Sequence, residues 1–425
     1  MWAQICCGDP TLPRYGTDLI ATPAVPCLFG MYVYYFLAAV ACFFGFQSLL
    51  SGFRYVAYVK RETSKTLPDY QPFVSVIAPS RGLEPSLEDN LRTLLNQDYS
   101  AYEVLFVFDR ETDPAIEVLQ DLKADVKIVI SGPATDSGQK VHNLRVAVNE
   151  VDPKSEVLAF VDTDARPGKR WLKELVAPLA DETLGASSGY RWFVPKRGGF
   201  ASRLRSVWNA SVASALGEDR KKNFCWGGST AIRRSVFEKL KIRERWQGSV
   251  SDDFTVTTVF KEANLPIHFT PHCLVASVGD CGLGELFEFT TRQIKITRVY
   301  APQLWKPLLL GSSLFTIVFF GGIVLLFTRV AMGLSWIVLF LVLCLVFALG
   351  AIKAVIRLRV VQIPLAEYRS ELSRDMIAHF FLWPVASLLY LYNAIVAGFS
   401  RRIEWRGITY ELKSPNEAVI ISRDN

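Results

Sequence analysis

Three groups of acidic residues carry most of the chemistry this sequence could perform. Asp109 stands alone after an apolar run, Asp162-Thr163-Asp164 places two carboxylates at i and i+2, and Ser251-Asp252-Asp253 precedes Phe254-Thr255-Val256-Thr257. A lone carboxylate can accept hydrogen bonds from a base or a ribose. Two carboxylates at i and i+2 can face one divalent ion, because Mg²⁺ is held by one or two carboxylates together with phosphate oxygens. Such an ion acts as a Lewis acid on a departing diphosphate. The third group can supply a general base for an attacking hydroxyl. Each group also has a plainer use: Asp109 as a cap, Asp162 and Asp164 as turn residues, Asp252 and Asp253 as a dipole-favoured helix start. Trp226-Gly227-Gly228-Ser229-Thr230 is a small-residue loop, either a tight turn or a place where backbone approaches a ligand closely.

These residues need elements to hold them. Phe73-Val74-Ser75-Val76-Ile77-Ala78, ended by Pro79 and Gly82, predicts a buried strand. Ser86 with Asp89 reads as a capping box opening a helix that carries Leu87, Leu91, Leu94 and Leu95. Glu103 to Phe108 predicts a second strand, and Asp113-Pro114 opens a helix with Ile116, Leu119 and Leu122 on one face. Val126 to Ile130 predicts a third strand, Lys140 to Val148 a helix, and Val157 to Val161 a fourth strand. Alternation at this spacing predicts an α/β fold, a Rossmann-like, mostly parallel sheet with helices on both faces. Such sheets bind ligands outside the carboxyl ends of their strands. Asp109 and Asp162 follow two of those ends directly.

Half of the 425 residues are hydrophobic although 21% are charged. The charge is densest between Arg54 and Lys306, and long charge-free stretches lie on either side. Cys27 to Leu50, Leu308 to Thr328, Val330 to Ile352 and Met376 to Ser400 are each long enough to cross a hydrocarbon layer of ~30 Å. Pro384 leaves the fourth open to a kinked span or a re-entrant hairpin. The first has no basic n-region and no cleavage site, so a retained anchor is expected. Arg54, Lys60, Arg61 and Lys65 follow it, against only Arg14 before it, which predicts a cytoplasmic middle region. Lys353, Arg357 and Arg359 agree; Arg401, Arg402 and Arg406 do not if the fourth segment crosses. The net charge of +6 suits an anionic membrane surface. No basic stripe asks for nucleic acid, and the eight cysteines show neither a CxxC pair nor metal-ligand spacing. Cys6, Cys7 and Cys27 could meet an oxidising compartment. His142, His268 and His272 have no partner spacing and read as surface or loop histidines.

Taken in order, these motifs resemble the family 2 glycosyltransferases, and more closely the ceramide glucosyltransferase group with its bacterial relatives, over roughly residues 71–300. Phe73-Val74-Ser75-Val76-Ile77 is similar to that family's opening strand, Asp109 to its first aspartate, and Gln139-Lys140-Val141-His142-Asn143-Leu144 to a segment beside the nucleotide. Asp162 matches the second aspartate and Asp253 the third, with Asp252 where an acid usually precedes it. Trp405-Arg406-Gly407 with Tyr410 is similar to a tail pattern of the group.

The resemblance implies a GT-A type fold with transmembrane helices. Residues 1–60 would be an extracytoplasmic segment and anchor, 70–300 a cytoplasmic catalytic domain, and 301–425 membrane segments and a short tail. It implies inverting transfer of a hexose, glucose first, from a UDP-sugar to a lipid hydroxyl such as that of ceramide, with Asp253 as base. Asp162 and Asp164 would hold Mg²⁺ or Mn²⁺. Asp109, Lys140, Asn143, Asp162, Arg292 and Lys295 would hold the nucleotide-sugar, and Trp226, Gly227, Gly228, Ser229 and Asp252 would form the acceptor and donor loop. One motif departs from the family. Where it ends in Arg-Trp, this chain has Arg292-Gln293-Ile294-Lys295-Ile296. Lys295 keeps a cation but loses the planar fork, and Ile296 loses the ring. Arg298 with Tyr300 could compensate by a register shift. Gly282 to Tyr300 reads as an interfacial element or a plain juxtamembrane helix. Two alternatives stand beside this reading, a processive polysaccharide synthase and a catalytically silent relative that only binds nucleotide-sugar or lipid.

Overall fold

The structure is a computed structural model that describes residues 24–84, 86–123 and 125–423, with side chains from Gly30 onward. Cys6, Cys7, Arg14 and the Cys27 side chain lie outside the described residues. The four predicted strands form as β1 (Val74–Pro79), β2 (Tyr102–Phe108), β3 (Lys127–Ile130) and β4 (Val157–Val161). With β5 (Ala186–Val194), β6 (Ser229–Arg233) and β7 (Ile267–Val278) they make one sheet in the order β3-β2-β1-β4-β6-β5-β7. Only β6 runs against its neighbours. This is a mostly parallel α/β sheet. The strands read as unbroken apolar runs because both faces are covered. Val74, Val76, Phe106, Ala159 and Val161 face one core, while Ile77, Leu105, Val107, Leu158 and Phe160 face the other.

The helices α2 (Leu87–Leu95), α3 (Pro114–Asp121), α4 (Gln139–Ala147), α5 (Trp171–Val176), α6 (Phe200–Ala213), α7 (Arg234–Lys239), α8 (Ile242–Arg245), α9 (Asp252–Glu262) and α10 (Leu283–Tyr300) follow α1 (Ala24–Thr63) in chain order. Asp113 caps α3 by accepting from Ala115 N at 3.0 Å, and it also accepts from Gly82 N at 2.9 Å, so one carboxylate fixes two loops at the same sheet edge. The capping box expected at Ser86 does not form. Ser86 has φ 67° and its side chain makes no cap bond.

Among the described residues, four helical stretches are long and apolar enough to cross a membrane: Gly30–Thr63 of α1, Pro302–Ala331, Ile337–Val361 and Met376–Phe399. The second is α11 (Pro302–Thr316), a π-helical turn at Ile317–Gly321, and α12 (Gly322–Ala331); the third is α13 (Ile337–Val361), followed by the short α14 (Arg369–Arg374); the fourth is α15 (Met376–Phe399). Small residues let these helices approach closely. Gly45 and Gly52 of α1 abut Leu349 and Lys353 of α13, and Gly350 abuts the Trp383 ring of α15. Arg329 lies in the last turn of α12, and Lys353, Arg357 and Arg359 lie inside α13 rather than after it.

The fourth stretch is one continuous helix with Pro384 inside it, not a hairpin. It does not lead away from the α/β unit. Asp375 at its start pairs with Arg203 of α6 at 3.2 Å, Tyr390 donates to Trp208 O of α6 at 2.9 Å, and near its end Ala397 O accepts from Arg298 of α10. Both ends of α15 therefore rest on the α/β unit. Beyond it β8 (Arg402–Trp405), β9 (Ile408–Ser414) and β10 (Glu417–Arg423) form a small antiparallel sheet. Ile403, Ile408, Tyr410 and Leu412 of that sheet pack with Val250 and with Ile296 of α10.

Candidate active site

The carboxyl ends of β1, β2 and β4 and the amino end of the reversed β6 meet along one edge of the sheet. That reversal brings Trp226-Gly227-Gly228 beside Asp162. At this edge Lys140 Nζ lies 2.7 Å from Asp162 Oδ1 and 3.3 Å from Asp252 Oδ1. Arg191, from β5, reaches Asp162 Oδ2 at 2.9 Å and Asp164 Oδ2 at 3.2 Å, and its guanidinium lies 4.8 Å from the Trp226 ring centre. The loop glycines are required by this crowding. A Cβ on Gly227 would run into the Asp252 carboxylate, and one on Gly228 into the Trp226 ring.

The charges in this cluster are not equivalent. Burial pushes the Asp162 carboxyl upward, but Lys140 and Arg191 on either side hold it below the usual aspartate range. Among the described residues Asp252 has only Lys140 as an ion-pair partner; burial outweighs that attraction, Asp253 and Asp162 add repulsion, and its pKa is pushed up to about 6. Asp253 opens α9 with one oxygen fixed, accepting from Phe254 N at 2.7 Å and from the Ser251 hydroxyl. Asp109 is buried, 3.7 Å from Arg81 Nε and 3.9 Å from Arg110 Nε, and its Oδ1 has no hydrogen-bond partner among the described residues. A buried carboxylate oxygen left free suits a base or ribose donor.

Several expected residues stand elsewhere. The Ser229 hydroxyl accepts from Trp171 Nε1 at 2.8 Å and is fully buried, so it holds the loop from behind. Asn143 does line the cavity, and its Oδ1 accepts from Ser131 Oγ and Gln139 Nε2, both at 2.8 Å, tying α4 to the loop after β3. Lys295 Nζ donates to Arg402 O at 2.6 Å, away from the acidic cluster, whereas Arg292 pairs with Glu288 at 2.7 Å and lines the cavity described below. Arg298 donates to the last turn of α15, so it does not substitute for Lys295. Tyr300 does reach the site edge, where its hydroxyl accepts from Val250 N at 2.8 Å just ahead of Asp252. His268 and His272 lie within β7 rather than in loops, and burial pushes His268 down to about 4. Arg191 was missed because a single arginine inside the apolar run of β5 carries no motif. Its flanking Tyr190 and Trp192 were the only signal.

The tail closes one side of the site. The Tyr410 hydroxyl accepts from Gln139 N at 3.1 Å, Arg423 donates to Gln139 Oε1 at 3.0 Å, and Arg406 pairs with Glu84. A single cavity of about 1800 Å³ holds Asp162, Asp164, Asp252 and Asp253 at one end. It continues between the apolar helices past Phe44, Leu308, Phe315, Leu349 and Trp383.

Comparison with known proteins agrees with this arrangement. Ceramide glucosyltransferase 1 of Caenorhabditis elegans is 32% identical over 126 residues, covering 28% of this chain and 24% of that protein. Ceramide glucosyltransferase of Komagataella phaffii is 26% identical over 114 residues, covering 27% of this chain and 20% of its own. The chain thus spans about a quarter or less of the length of these curated relatives. Among solved structures, the mannosyltransferase PcManGT from Pyrobaculum calidifontis, in complex with GDP-Man and Mn²⁺, aligns over 85% of this chain and 98% of its own at 18% identity and a TM-score of 0.45. Residues 33–418, which take in the sheet, the acidic edge, the long apolar helices and most of the tail, match one family. The chain therefore belongs to glycosyl transferase family 21.

Proposed function

We propose that the protein moves a hexose, glucose first, from a UDP-sugar onto a hydroxyl of a membrane lipid such as ceramide, with inversion at the anomeric carbon. The observation that carries this reading is the continuous cavity, which joins the carboxylates to an arm walled by apolar helices. A water-soluble donor and a lipid acceptor can meet there without either leaving its own medium.

The residues divide the work. Asp109, with its free oxygen, takes a donor hydrogen from the base or ribose. Lys140 and Arg191 supply positive charge for the diphosphate, and Trp226 with the two glycines forms the wall beside them. Asp162 and Asp164 would hold Mg²⁺ or Mn²⁺. Among the described residues no group of three or more His, Cys, Asp or Glu is set to hold an ion, but two carboxylates suffice when diphosphate oxygens complete the shell. Arg191 now spans both carboxylates at 2.9 and 3.2 Å, a cation standing where a hard ion would fit. When bound, the ion neutralises charge on the diphosphate. Asp253, held by its two donors, accepts the proton of the acceptor hydroxyl as that oxygen attacks the anomeric carbon. The sugar passes through an oxocarbenium-like state, as in glycoside hydrolysis.

The proposed catalytic unit is residues 70–300, served by the anchor in 1–60 and by the membrane helices and tail of 301–425. Arg54, Lys60, Arg61, Lys65, Arg359, Arg401, Arg402 and Arg406 all belong to the side of the α/β unit, and the positive-inside rule assigns that side to the cytoplasm. The test uses protein in nanodiscs with Mn²⁺ or Mg²⁺, a panel of UDP-sugars and mass spectrometry of the extracted lipid. One added hexose, absent with Asp253→Asn, is the expected result. A long polymer points to a processive synthase. UDP binding without any product would overturn transfer altogether.

A further inference from the structure

The cavity has a second polar end that the transfer reading leaves unused. Lys353 and Arg357 sit four residues apart on α13, hence one above the other on the same helix face, roughly 6 Å apart along the axis. Both line the cavity, and so does Ser48 of α1, whose hydroxyl accepts from Lys353 Nζ at 2.7 Å. Arg357 is 4% exposed. Its Nη1 has only long contacts to Ser211 and Ser214 of α6, at 3.5 and 3.3 Å, and its Nε has no partner at all among the described residues. Neither cation pairs with a carboxylate among the described residues, whereas Lys140 and Arg191 at the acidic end are fully paired.

A buried guanidinium without an acid is expensive to maintain, and at membrane depth such a residue faces a partner or a ligand. The neighbouring walls decide what that ligand is. Phe44, Leu349, Trp383 and Ala386 line the same arm, so the anion arrives attached to an apolar chain. We propose that Arg357 and Lys353, with Ser48 and Ser211, bind the acidic headgroup of an anionic lipid, a phosphate or carboxylate carried by an acyl-type chain. Arg357 matches such a group with a planar fork, and Lys353 adds a point charge one turn deeper. The site is separate from the donor edge. It does not require transfer, because a protein that moved no sugar would still retain this lipid.

The test measures retention of dioctanoyl phosphatidic acid by the full-length protein in detergent, using native mass spectrometry and thermal shift. Dioctanoyl phosphatidylcholine and inorganic phosphate are the comparisons. Phosphatidic acid should bind at least about tenfold more tightly than the choline lipid, and Arg357→Gln and Lys353→Gln should each weaken it by about tenfold or more, the scale of a lost charged hydrogen bond. Arg359→Gln, an exposed cation on the same helix, should leave retention unchanged. UDP binding reports whether each variant is folded; if Arg357→Gln is not, Lys353→Gln alone carries the test. Equal retention of the two lipids, unchanged retention in the folded variants, or an equal loss in Arg359→Gln would each overturn the proposal. Inorganic phosphate stabilising the protein as well as the lipid does would assign the site to a free anion and overturn it too.

Discussion

Asp252→Asn should stabilise the protein at neutral pH, although it removes an ion pair. The Asp252 pKa rises from the ordinary 3.8 to about 6, because burial and the neighbouring carboxylates outweigh Lys140. A carboxyl raised in the folded state binds more protons folded than unfolded, so its cost grows as pH climbs through that window and is complete above about 6. At 1.36 kcal/mol per unit, the difference is roughly 3 kcal/mol. Asn mimics the protonated form and escapes this cost. The wild-type pH dependence alone would mislead, since His268, pushed down to about 4 by burial, loses stability as pH falls from 6.5. Asp162 does not interfere, because its folded pKa is depressed below 3.8 and it titrates only at lower pH. The useful quantity is therefore the melting temperature of the Asn variant minus that of wild type, in detergent without donor. It should be about +6 °C at pH 7.5, at ~2 °C per kcal/mol, and should fall to about half that at pH 5, midway through the window between 3.8 and about 6. An offset that is the same at both pH values, or an Asn variant that melts lower throughout, would refute the assignment of a strained carboxylate.

Asp253→Asn should lower transfer by about 10²- to 10⁴-fold, the scale of a general base, with UDP affinity unchanged by calorimetry. Gly227→Ala drives a methyl into the Asp252 carboxylate and toward Lys140 Nζ, so transfer should vanish and stability fall by about 1–3 kcal/mol in thermal melts. Arg292→Ala should weaken donor binding about tenfold, as expected for a charged contact in the cavity. Lys295→Ala should change it less than about threefold, since that ammonium is spent on Arg402 O. Chelation should abolish transfer and reduce UDP affinity, with either Mg²⁺ or Mn²⁺ restoring both; full activity in excess chelator would remove Asp162 and Asp164 from the metal role.

Local chemistry made much of the site legible. Asp109 and Asp162 follow apolar strands directly, and a parallel sheet turns that sequence position into a place at the ligand-binding edge. Asp113 announced α3 because Asp-Pro is a helix start in itself. What stayed hidden depends on partners far along the chain. Arg191 acts through Asp162 and Asp164 in the turn after β4, and only its flanking Tyr190 and Trp192 mark it in sequence. Ser229 looked like a ligand contact by position, yet it is buried behind the loop, where Trp171 donates to its hydroxyl. The Ser86 pattern failed because the residue adopts φ 67°, where its hydroxyl cannot reach the first turn.

Counting charges on the flanks also gave a contradiction, and its resolution bears on how the lipid arm is built. Four crossings would separate Arg401, Arg402 and Arg406 from the α/β unit, but Tyr410 and Arg423 of the tail touch Gln139. The conflict disappears once α15 is seen to begin and end on that unit, pairing at Asp375 and at Ala397. Hydropathy cannot distinguish a helix that crosses from one that lies against α6 and α10 with apolar neighbours on both sides, since both need an apolar surface all round. With α15 lying on that unit, crossings by α1, α11–α12 and α13 alone would put every basic cluster on one side. Lys353 and Arg357 were counted as part of that flanking charge, yet they point into the cavity beneath α15. A charge that only satisfied topology would sit among headgroups at the rim. These two are held inside, on the wall that α15 roofs, where an acidic lipid headgroup is the partner they lack.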